Sequence, residues 1–182
     1  IKGVCEHQDF AVVGAAVTED ILRYKFGVLK AMGINAVRSA HHAASPLLLD
    51  LCDELGILVL NENRRFEAAE EGIADLKELV LGARNHPCVF MWCLENEEFI
   101  TETAAGMRIL DRLIKVVRKY DPTRQTTVAR QFSRENYGYM TLPDVAGFNY
   151  DYDEASKLLE KYPHQPVMAT ESVSFPSTRG EY

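Results

Sequence analysis

The sequence predicts an α/β fold, specifically a (β/α)8 TIM barrel that is incomplete, with about seven strands present and the last βα unit missing. Short apolar segments rich in β-forming residues alternate with longer segments of helical period along the whole chain. The first strand is not followed by the glycine-rich phosphate loop that a doubly wound sheet would normally carry. Polar residues follow nearly every strand, as in barrels whose sites are built from many strand ends.

Seven segments are predicted as strands because each is nearly continuously apolar at its centre, as expected for strands covered on both faces. In chain order they are residues 1–4, 34–38, 57–61, 88–94, 125–129, 144–149 and 166–170. Seven βα-type strands also fit a doubly wound open sheet, and the missing phosphate loop decides for the barrel.

The helices between these strands have recognisable ends. Thr18 is a candidate N-cap before an acidic first turn, and Gly33 is expected to end that helix. The second helix should have Ser45 as N-cap, Pro46 at its first position and Gly56 past its end. Further helices are predicted at 73–83, 103–120 and 154–162. No linker or composition break divides residues 1–182, so one partial barrel domain is predicted.

Composition and charge limit the classes of function. The 182 residues include 20 Lys and Arg against 27 Asp and Glu, for a net charge of −7. Binding to nucleic acid or to an anionic membrane needs a concentrated basic surface, so neither partner is expected. The 4 cysteines have no Cys-x-x-Cys spacing and lie in apolar segments, which predicts buried free thiols. Because the chain starts at Ile1 without a leader, it is expected to be a piece of a longer protein, and its compartment is not predicted.

Clusters of polar side chains come directly after the apolar centres of six predicted strands. They are His7 and Asp9; Arg38, His41 and His42; Glu62 and Asn63; Asn96 and Glu97; Asn149, Tyr150 and Tyr152; and Glu171 and Ser172. In a barrel, the carboxyl ends of the strands converge on one mouth, so these clusters should meet there. The sequence therefore predicts a site at this end of the barrel.

Two carboxylates from different strands are what glycoside cleavage requires, since one protonates the leaving oxygen and the other attacks the anomeric carbon or activates water. Glu97 and Glu171 are the candidate pair, because each follows an apolar strand. A metal-dependent hydrolase would need His-x-His after the first strand and further imidazole ligands, and the 5 histidines offer only the adjacent pair His41 and His42. We expect no metal and no cofactor.

With these residues in place, the chain resembles the catalytic barrel of glycoside hydrolase family 2 over nearly its whole length. The matching motifs are Lys2-Gly3-Val4 with His7, Arg38-Ser39-Ala40-His41, Asn85-His86-Pro87, Trp92, Asn96-Glu97, Asp121-Pro122-Thr123-Arg124 and Asn149-Tyr150. Residues 59–64 and 171–182 look most like a β-galactosidase-type branch of that family.

The resemblance implies a retaining exo-β-glycosidase that acts on terminal β-glycosides, with β-galactosides favoured and β-glucuronidase or β-mannosidase specificity left open. It implies that Glu97 is the general acid/base and Glu171 the nucleophile, with carboxyl groups about 5 to 5.5 Å apart. It also implies that Asn96 binds the hydroxyl next to the anomeric carbon. His7, Arg38, His41, Asn149 and Tyr150 are then substrate-site residues, with Arg38 and Tyr150 as candidates to keep Glu171 ionised.

Some positions depart from the family or have a structural interpretation. Glu95 stands where the family usually has Gly, and Asn61 where it has Asp. The Glu-x-His of the family's magnesium site is absent, because Ala69 stands in the histidine position after Glu67. Three residues are expected to be structural: Trp92 in the core, His86 as a hydrogen-bonding residue, and Glu62 as a support for its neighbours.

A second reading is a barrel fragment that binds sugar, or nothing, without turnover. An incomplete barrel exposes strand edges, which predicts association between copies or poor solubility.

Overall fold

The computed structural model describes residues 1–131 and 137–173. Its strands are β1 Gly3–Glu6, β2 Ala36–Ser39, β3 Leu58–Glu62, β4 Val89–Asn96, β5 Gln125–Ala129, β6 Ala146–Asn149 and β7 Val167–Glu171. The helices are α1 Glu19–Ala31, α2 Pro46–Leu55, α3 Glu70–Ala83, α4 Ala104–Tyr120 and α5 Tyr152–Lys161, with a short 3-10 helix at Tyr139–Thr141. None of the helices in these ranges is long and apolar enough to cross a membrane.

The strands form one curved parallel wall in chain order. Strands β1 to β5 are hydrogen-bonded neighbours, and β6 pairs with β7. Parallel bridges from Thr127 to Val145 and from Arg130 to Phe148 join β5 to β6. Seven parallel strands alternating with helices confirm the predicted incomplete (β/α)8 barrel.

Apolar residues fill both faces of this wall. On β4, Trp92 and Leu94 pack with the helices in the larger core, whereas Met91 and Cys93 belong to a second cluster with Leu60 on β3. This alternation follows from the two-residue period of a strand. The predicted core position of Trp92 is confirmed, since it is fully buried and its indole N–H donates to Asp121 over 3.0 Å.

Five strands continue one or two residues past their predicted ends, and β5 and β6 end as predicted. Six strands end on a polar residue, namely Glu6, Ser39, Glu62, Asn96, Asn149 and Glu171. Apolar periodicity ends one or two residues earlier, but the backbone ladder continues because it does not depend on the side chain. The polar side chains are thus held by strand backbone at the carboxyl end of the barrel.

The helix ends are mostly as predicted. The hydroxyl of Ser45 accepts from the Leu48 N–H over 3.3 Å, Pro46 begins α2, and Gly56 follows it at φ 67°. Thr18 is the N-cap residue of α1, but its side chain makes no capping hydrogen bond. Met32 is the C-cap of α1, and Gly33 follows it at φ 86° and ends the helix as predicted. Helix α3 begins at Glu70, three residues before the predicted start, because Ala69 at its N-cap gives no side-chain signal.

The cysteines are free, and Cys52, Cys88 and Cys93 are buried as predicted. Cys5 is only partly buried, because it lies on β1 at the border of the barrel interior.

Candidate active site

Arg38 on β2 is the centre of a hydrogen-bond network at the carboxyl end of the barrel. Its side chain is 4% exposed. The guanidinium donates to Glu62 Oε2 over 2.5 Å, to Glu171 Oε1 over 2.6 Å and to Asn96 Oδ1 over 2.7 Å. The planar fork of donors in arginine suits several acceptors at once. One side chain therefore ties β2 to β3, β4 and β7.

Glu62, at the end of β3, balances the charge of Arg38. It is fully buried, and its second oxygen, Oε1, lies 3.0 Å from His41 Nδ1. A buried carboxylate is tolerated when it is paired and hydrogen-bonded in this way. The predicted supporting role of Glu62 is confirmed by these contacts.

Glu171, at the end of β7, is a partly exposed carboxylate with donors on both oxygens. Besides Arg38, the hydroxyl of Tyr150 donates to its Oε2, and His41 Nε2 lies 3.7 Å from its Oε1. Burial by itself would raise the pKa of Glu171, but the Tyr150 hydrogen bond and the Arg38 charge outweigh it and hold that pKa below its ordinary value. Glu171 is thus kept ionised.

Glu97 directly follows β4 on a tightly held turn. Its backbone has φ 53°, in the left-handed region, and its N–H donates to the Ala129 carbonyl over 3.0 Å. Its carboxylate Oε1 accepts from Asn149 Nδ2 over 2.8 Å. Left-handed backbone at a non-glycine residue is uncommon and is concentrated at functional sites.

Asn149 connects the two halves of the network. Its Nδ2 also donates to Asn96 Oδ1 over 3.1 Å, and its own Oδ1 accepts from the Thr170 hydroxyl over 2.7 Å. Asn96 Oδ1 can only accept, so the amide nitrogen of Asn149 must face Asn96 and Glu97, and its oxygen faces the Thr170 hydroxyl. A continuous path of hydrogen bonds therefore runs from Glu171 through Arg38, Asn96 and Asn149 to Glu97.

Two recesses open beside this network. A cavity of about 960 Å³ occupies the barrel interior and is lined by His7, Arg38, Tyr150 and Glu171, among others. A second recess of about 430 Å³ is lined by Glu97 together with Phe99 and Arg130. The two glutamates thus border different open volumes at the same end of the barrel.

Comparisons with known proteins agree on the family. The model of the family described as "Glycosyl hydrolases family 2, TIM barrel domain" matches residues 1–70 and 65–182. The chain belongs to glycoside hydrolase family 2.

Relatives within glycoside hydrolase family 2 carry more than one name. The chain is 30% identical to a β-galactosidase of Bacteroides ovatus, with all of the chain and 27% of that protein covered. It is 30% identical to a β-glucuronidase of Bacteroides fragilis, over 89% of the chain and 25% of that protein. A crystal structure of a family 2 member from Bacteroides cellulosilyticus matches with a TM-score of 0.86 and 32% identity, over 94% of the chain and 24% of that structure. The chain spans about a quarter of the length of these relatives.

The structure brings all the predicted site residues of this family 2 barrel to one mouth. Six of them, Arg38, His41, Asn96, Glu97, Asn149 and Glu171, lie in the network described above. Tyr150 joins through Glu171, and its backbone N–H donates to the Glu171 carbonyl over 2.8 Å. His7 is an edge-on neighbour of His41, with ring centroids 5.3 Å apart. Residues 174–182, part of the β-galactosidase-type segment, lie outside the described residues.

Two residues that act on the site were not singled out as site residues from the sequence. The Thr170 hydroxyl donates to Asn149, yet a Thr before the last residue of a strand carries no distinctive signal. From the sequence, Glu95 was noted only as standing in place of the family's usual Gly, and in the structure it bonds to backbone on both sides of the turn. The two-residue spacing of Glu95 and Glu97 could have indicated a shared strand end.

Within residues 1–131 and 137–173, one group of side chains has the composition of a metal site: Asp53, His86 and Cys88. These atoms already bond to one another or to backbone. His86 Nδ1 lies 2.7 Å from Asp53 Oδ2, and the Cys88 N–H donates to Asp53 Oδ1 over 2.8 Å. This group ties α2 to the start of β4, which confirms His86 as a structural hydrogen-bonding residue.

Proposed function

We propose that residues 1–182 form a partial TIM-barrel catalytic domain of a retaining exo-β-glycosidase that hydrolyses terminal β-glycosides, with β-galactosides as the preferred substrates. The observation that carries the proposal is the pairing of an ionised carboxylate, Glu171, with a second carboxylate, Glu97, through a continuous hydrogen-bond path. Two such carboxylates on different strands are the minimum equipment for this reaction.

In the proposed mechanism, Glu171 attacks the anomeric carbon while Glu97 gives its proton to the glycosidic oxygen, and the aglycone leaves as an alcohol. The result is a covalent glycosyl ester on Glu171. Glu97, now ionised, then takes a proton from a water molecule that attacks the anomeric carbon, and Glu171 departs as a carboxylate. We predict a separation of about 5 to 5.5 Å between the two carboxyl groups for this retaining chemistry.

The remaining site residues support charge and orientation in this proposal. Arg38 and Tyr150 stabilise the carboxylate of Glu171 before attack and after its release. Asn96 is assigned to the hydroxyl next to the anomeric carbon, and His7 and His41 to the wall of the sugar site, where the cavity is lined by His7. We assign neither a metal nor a cofactor to the reaction.

The preference for β-galactosides rests on the segment at 59–64 and on the name of the Bacteroides ovatus relative. The Bacteroides fragilis relative, named as a β-glucuronidase, makes a glucuronide the main competitor.

A second candidate function is sugar binding without turnover. In the described residues, β1 and β7 border the barrel cavity but do not pair with each other, and the Cys5 thiol reaches the Thr170 carbonyl only over 3.7 Å. This open side of the wall would leave a bound sugar incompletely enclosed.

The unpaired edges of β1 and β7 lead us to propose that copies of the chain associate, which light scattering would detect as a dimer.

Mechanism-based labelling tests the proposal. A 2-deoxy-2-fluoro galactosyl fluoride is incubated with the chain and with a longer version that adds an eighth βα unit, followed by intact mass and peptide mapping. A galactosyl adduct on Glu171, absent in Glu171→Gln, is the expected result. The corresponding 2-deoxy-2-fluoro glucuronyl fluoride is tested in parallel, and preferential labelling by it would change the assigned sugar. An adduct on another carboxylate, or the absence of labelling in both folded forms with either reagent, would overturn the proposal.

A further inference from the structure

Glu95 is a buried acid with no part in the reaction proposed above. It lies on β4, two residues before Glu97, and has no exposed surface. Burial raises its pKa to about 8, although hydrogen bonds from the Glu98 and Ala129 backbone N–H groups act in the opposite direction. A buried carboxyl group destabilises the fold unless it is hydrogen-bonded, so the partners of Glu95 show what it does.

The two carboxyl oxygens of Glu95 hold backbone on both sides of the turn that carries Glu97. Oε2 accepts from the N–H of Glu98, the next residue along the turn, over 3.2 Å. Oε1 accepts from the N–H of Ala129 on β5 over 3.2 Å. The carbonyl of Ala129 in turn accepts from the N–H of Glu97 over 3.0 Å. Glu97 is therefore enclosed by a ring of contacts that passes through Glu95 and Ala129.

The ladder between β4 and β5 is irregular at this point. Cys93 pairs with Thr127 and Asn96 pairs with Ala129, so that three steps on β4 oppose two on β5. Such a bulge turns the strand and re-aims the side chains that follow it. Glu97 comes directly after the bulge, with the left-handed φ of 53°. A side chain that bonds across the bulge is placed to hold this conformation.

We propose that Glu95 is a positioning residue for Glu97: its carboxyl holds the bulge and the turn, so that Glu97 meets Asn149 and is aimed at the leaving-group oxygen. The role as proton donor to a leaving group rests on the proposed function, whereas the hold on the turn does not. A mispositioned proton donor slows glycosylation, the step that kcat/KM reports, most strongly when the leaving group needs protonation. Glu97 also serves as the base in deglycosylation, so kcat alone would not isolate this effect.

The test compares Glu95→Gln with the parent on two β-galactosides, one with a 2,4-dinitrophenyl leaving group and one with an alkyl leaving group. The variant keeps the size of the side chain but places an N–H₂ group against a backbone N–H. We expect kcat/KM on the alkyl galactoside to fall about 100-fold or more, and kcat/KM on the activated galactoside to fall less than about tenfold. Asp121→Asn is the matched control, since Asp121 is a buried carboxylate at the other end of the barrel. Asp121→Asn should lower stability without changing the ratio of the kcat/KM values for the two galactosides.

Amide hydrogen exchange gives a readout that does not need turnover. In Glu95→Ala, the N–H groups of Glu98 and Ala129 and the side-chain amide of Asn149 should exchange at least about tenfold faster, while the α2 amides stay protected. Unchanged exchange at these three sites would overturn the proposal, and so would an equal loss of kcat/KM on both substrates. If labelling of Glu171 fails but exchange responds as expected, the hold on the turn stands and the glycosidase proposal is what has failed.

Discussion

Buried charges occur at both ends of this barrel, but they are arranged differently. At the end where the strands begin, Asp121 Oδ2 accepts from Trp92 over 3.0 Å and from Arg124 over 2.8 Å, and its Oδ1 accepts from the Thr123 N–H over 3.1 Å. Asp53 similarly bonds to His86 and Cys88. Each group is local, and it fastens a helix or loop to the start of β4 or β5. At the other end, Arg38 alone links four strands.

Carboxylates at both ends of the barrel have lowered pKa values, but only the one at the carboxyl end of the strands borders a large cavity. The pKa of Asp53 is lowered although burial acts to raise it, because Cys88 and His86 bond to the carboxylate, and the pKa of Glu171 is lowered against burial by Tyr150 and Arg38. Glu171, however, borders the cavity of about 960 Å³, whereas Asp53 lines neither of the two recesses described above. A shifted pKa therefore indicates function only where open volume adjoins the group.

Replacing the carboxylate that borders the cavity should have the largest effect. Glu171→Gln removes the proposed nucleophile, and we expect kcat to fall by at least about 10⁴-fold with little loss of stability. Steady-state hydrolysis of an aryl β-galactoside measures this. Glu160→Gln, an exposed position on α5, is the control and should keep full activity. A drop of less than about 100-fold would place the nucleophile elsewhere.

The sequence predicted more of the strands than of the turns between them. Apolar centres located all seven strands, and the polar residues after them located Glu97 and Glu171, because the two-residue period and parallel packing bring strand ends together. The direction of the Glu97 side chain depends on the bulge between Cys93 and Asn96. A bulge is a mismatch in the pairing of two strands, so the sequence of β4 alone does not reveal it. The bonds of Glu95 to the backbone were invisible for the same reason.

The hydrogen bonds of Arg38 to β3, β4 and β7 should also stabilise the fold. Arg38→Met leaves Glu62 fully buried without its cation, and we expect the free energy of unfolding to fall by about 3 to 5 kcal/mol in urea titrations. The double variant Arg38→Met with Glu62→Met removes both charges and should recover part of that loss. If the double variant is less stable than Arg38→Met, the unpaired buried charge of Glu62 is not the cause of the lost stability.

The hydroxyl of Tyr150 should matter for the charge on Glu171 rather than for folding, since Tyr150 is 37% exposed. The Glu171 hydrogen bond raises the pKa of Tyr150 to about 12, so it stays protonated and can donate. Tyr150→Phe removes a donor that favours the ionised form, so the pKa of Glu171 should rise. We expect the acidic limb of the kcat/KM profile to move to higher pH and kcat to fall roughly 100-fold. An unmoved limb would show that Tyr150 does not set this ionisation.

Changes at the opposite end should affect stability and its pH dependence, but not the chemistry. The pKa of Asp121 is lowered to about 2: burial would raise it, and hydrogen bonds from Thr123, Arg124 and Trp92 outweigh that effect. A group whose pKa is lower in the folded state stabilises the fold above its unfolded pKa, and this contribution is lost as pH falls from about 4 to about 2. Asp121→Asn should therefore cost up to about 2 kcal/mol at pH 7 and flatten the stability profile across that acidic window. Urea unfolding from pH 7 to pH 2 measures this, with unchanged kcat on the activated galactoside as the control. If Asp121→Asn lowered kcat without lowering stability, the two ends of the barrel would not be separate in function as their contacts indicate.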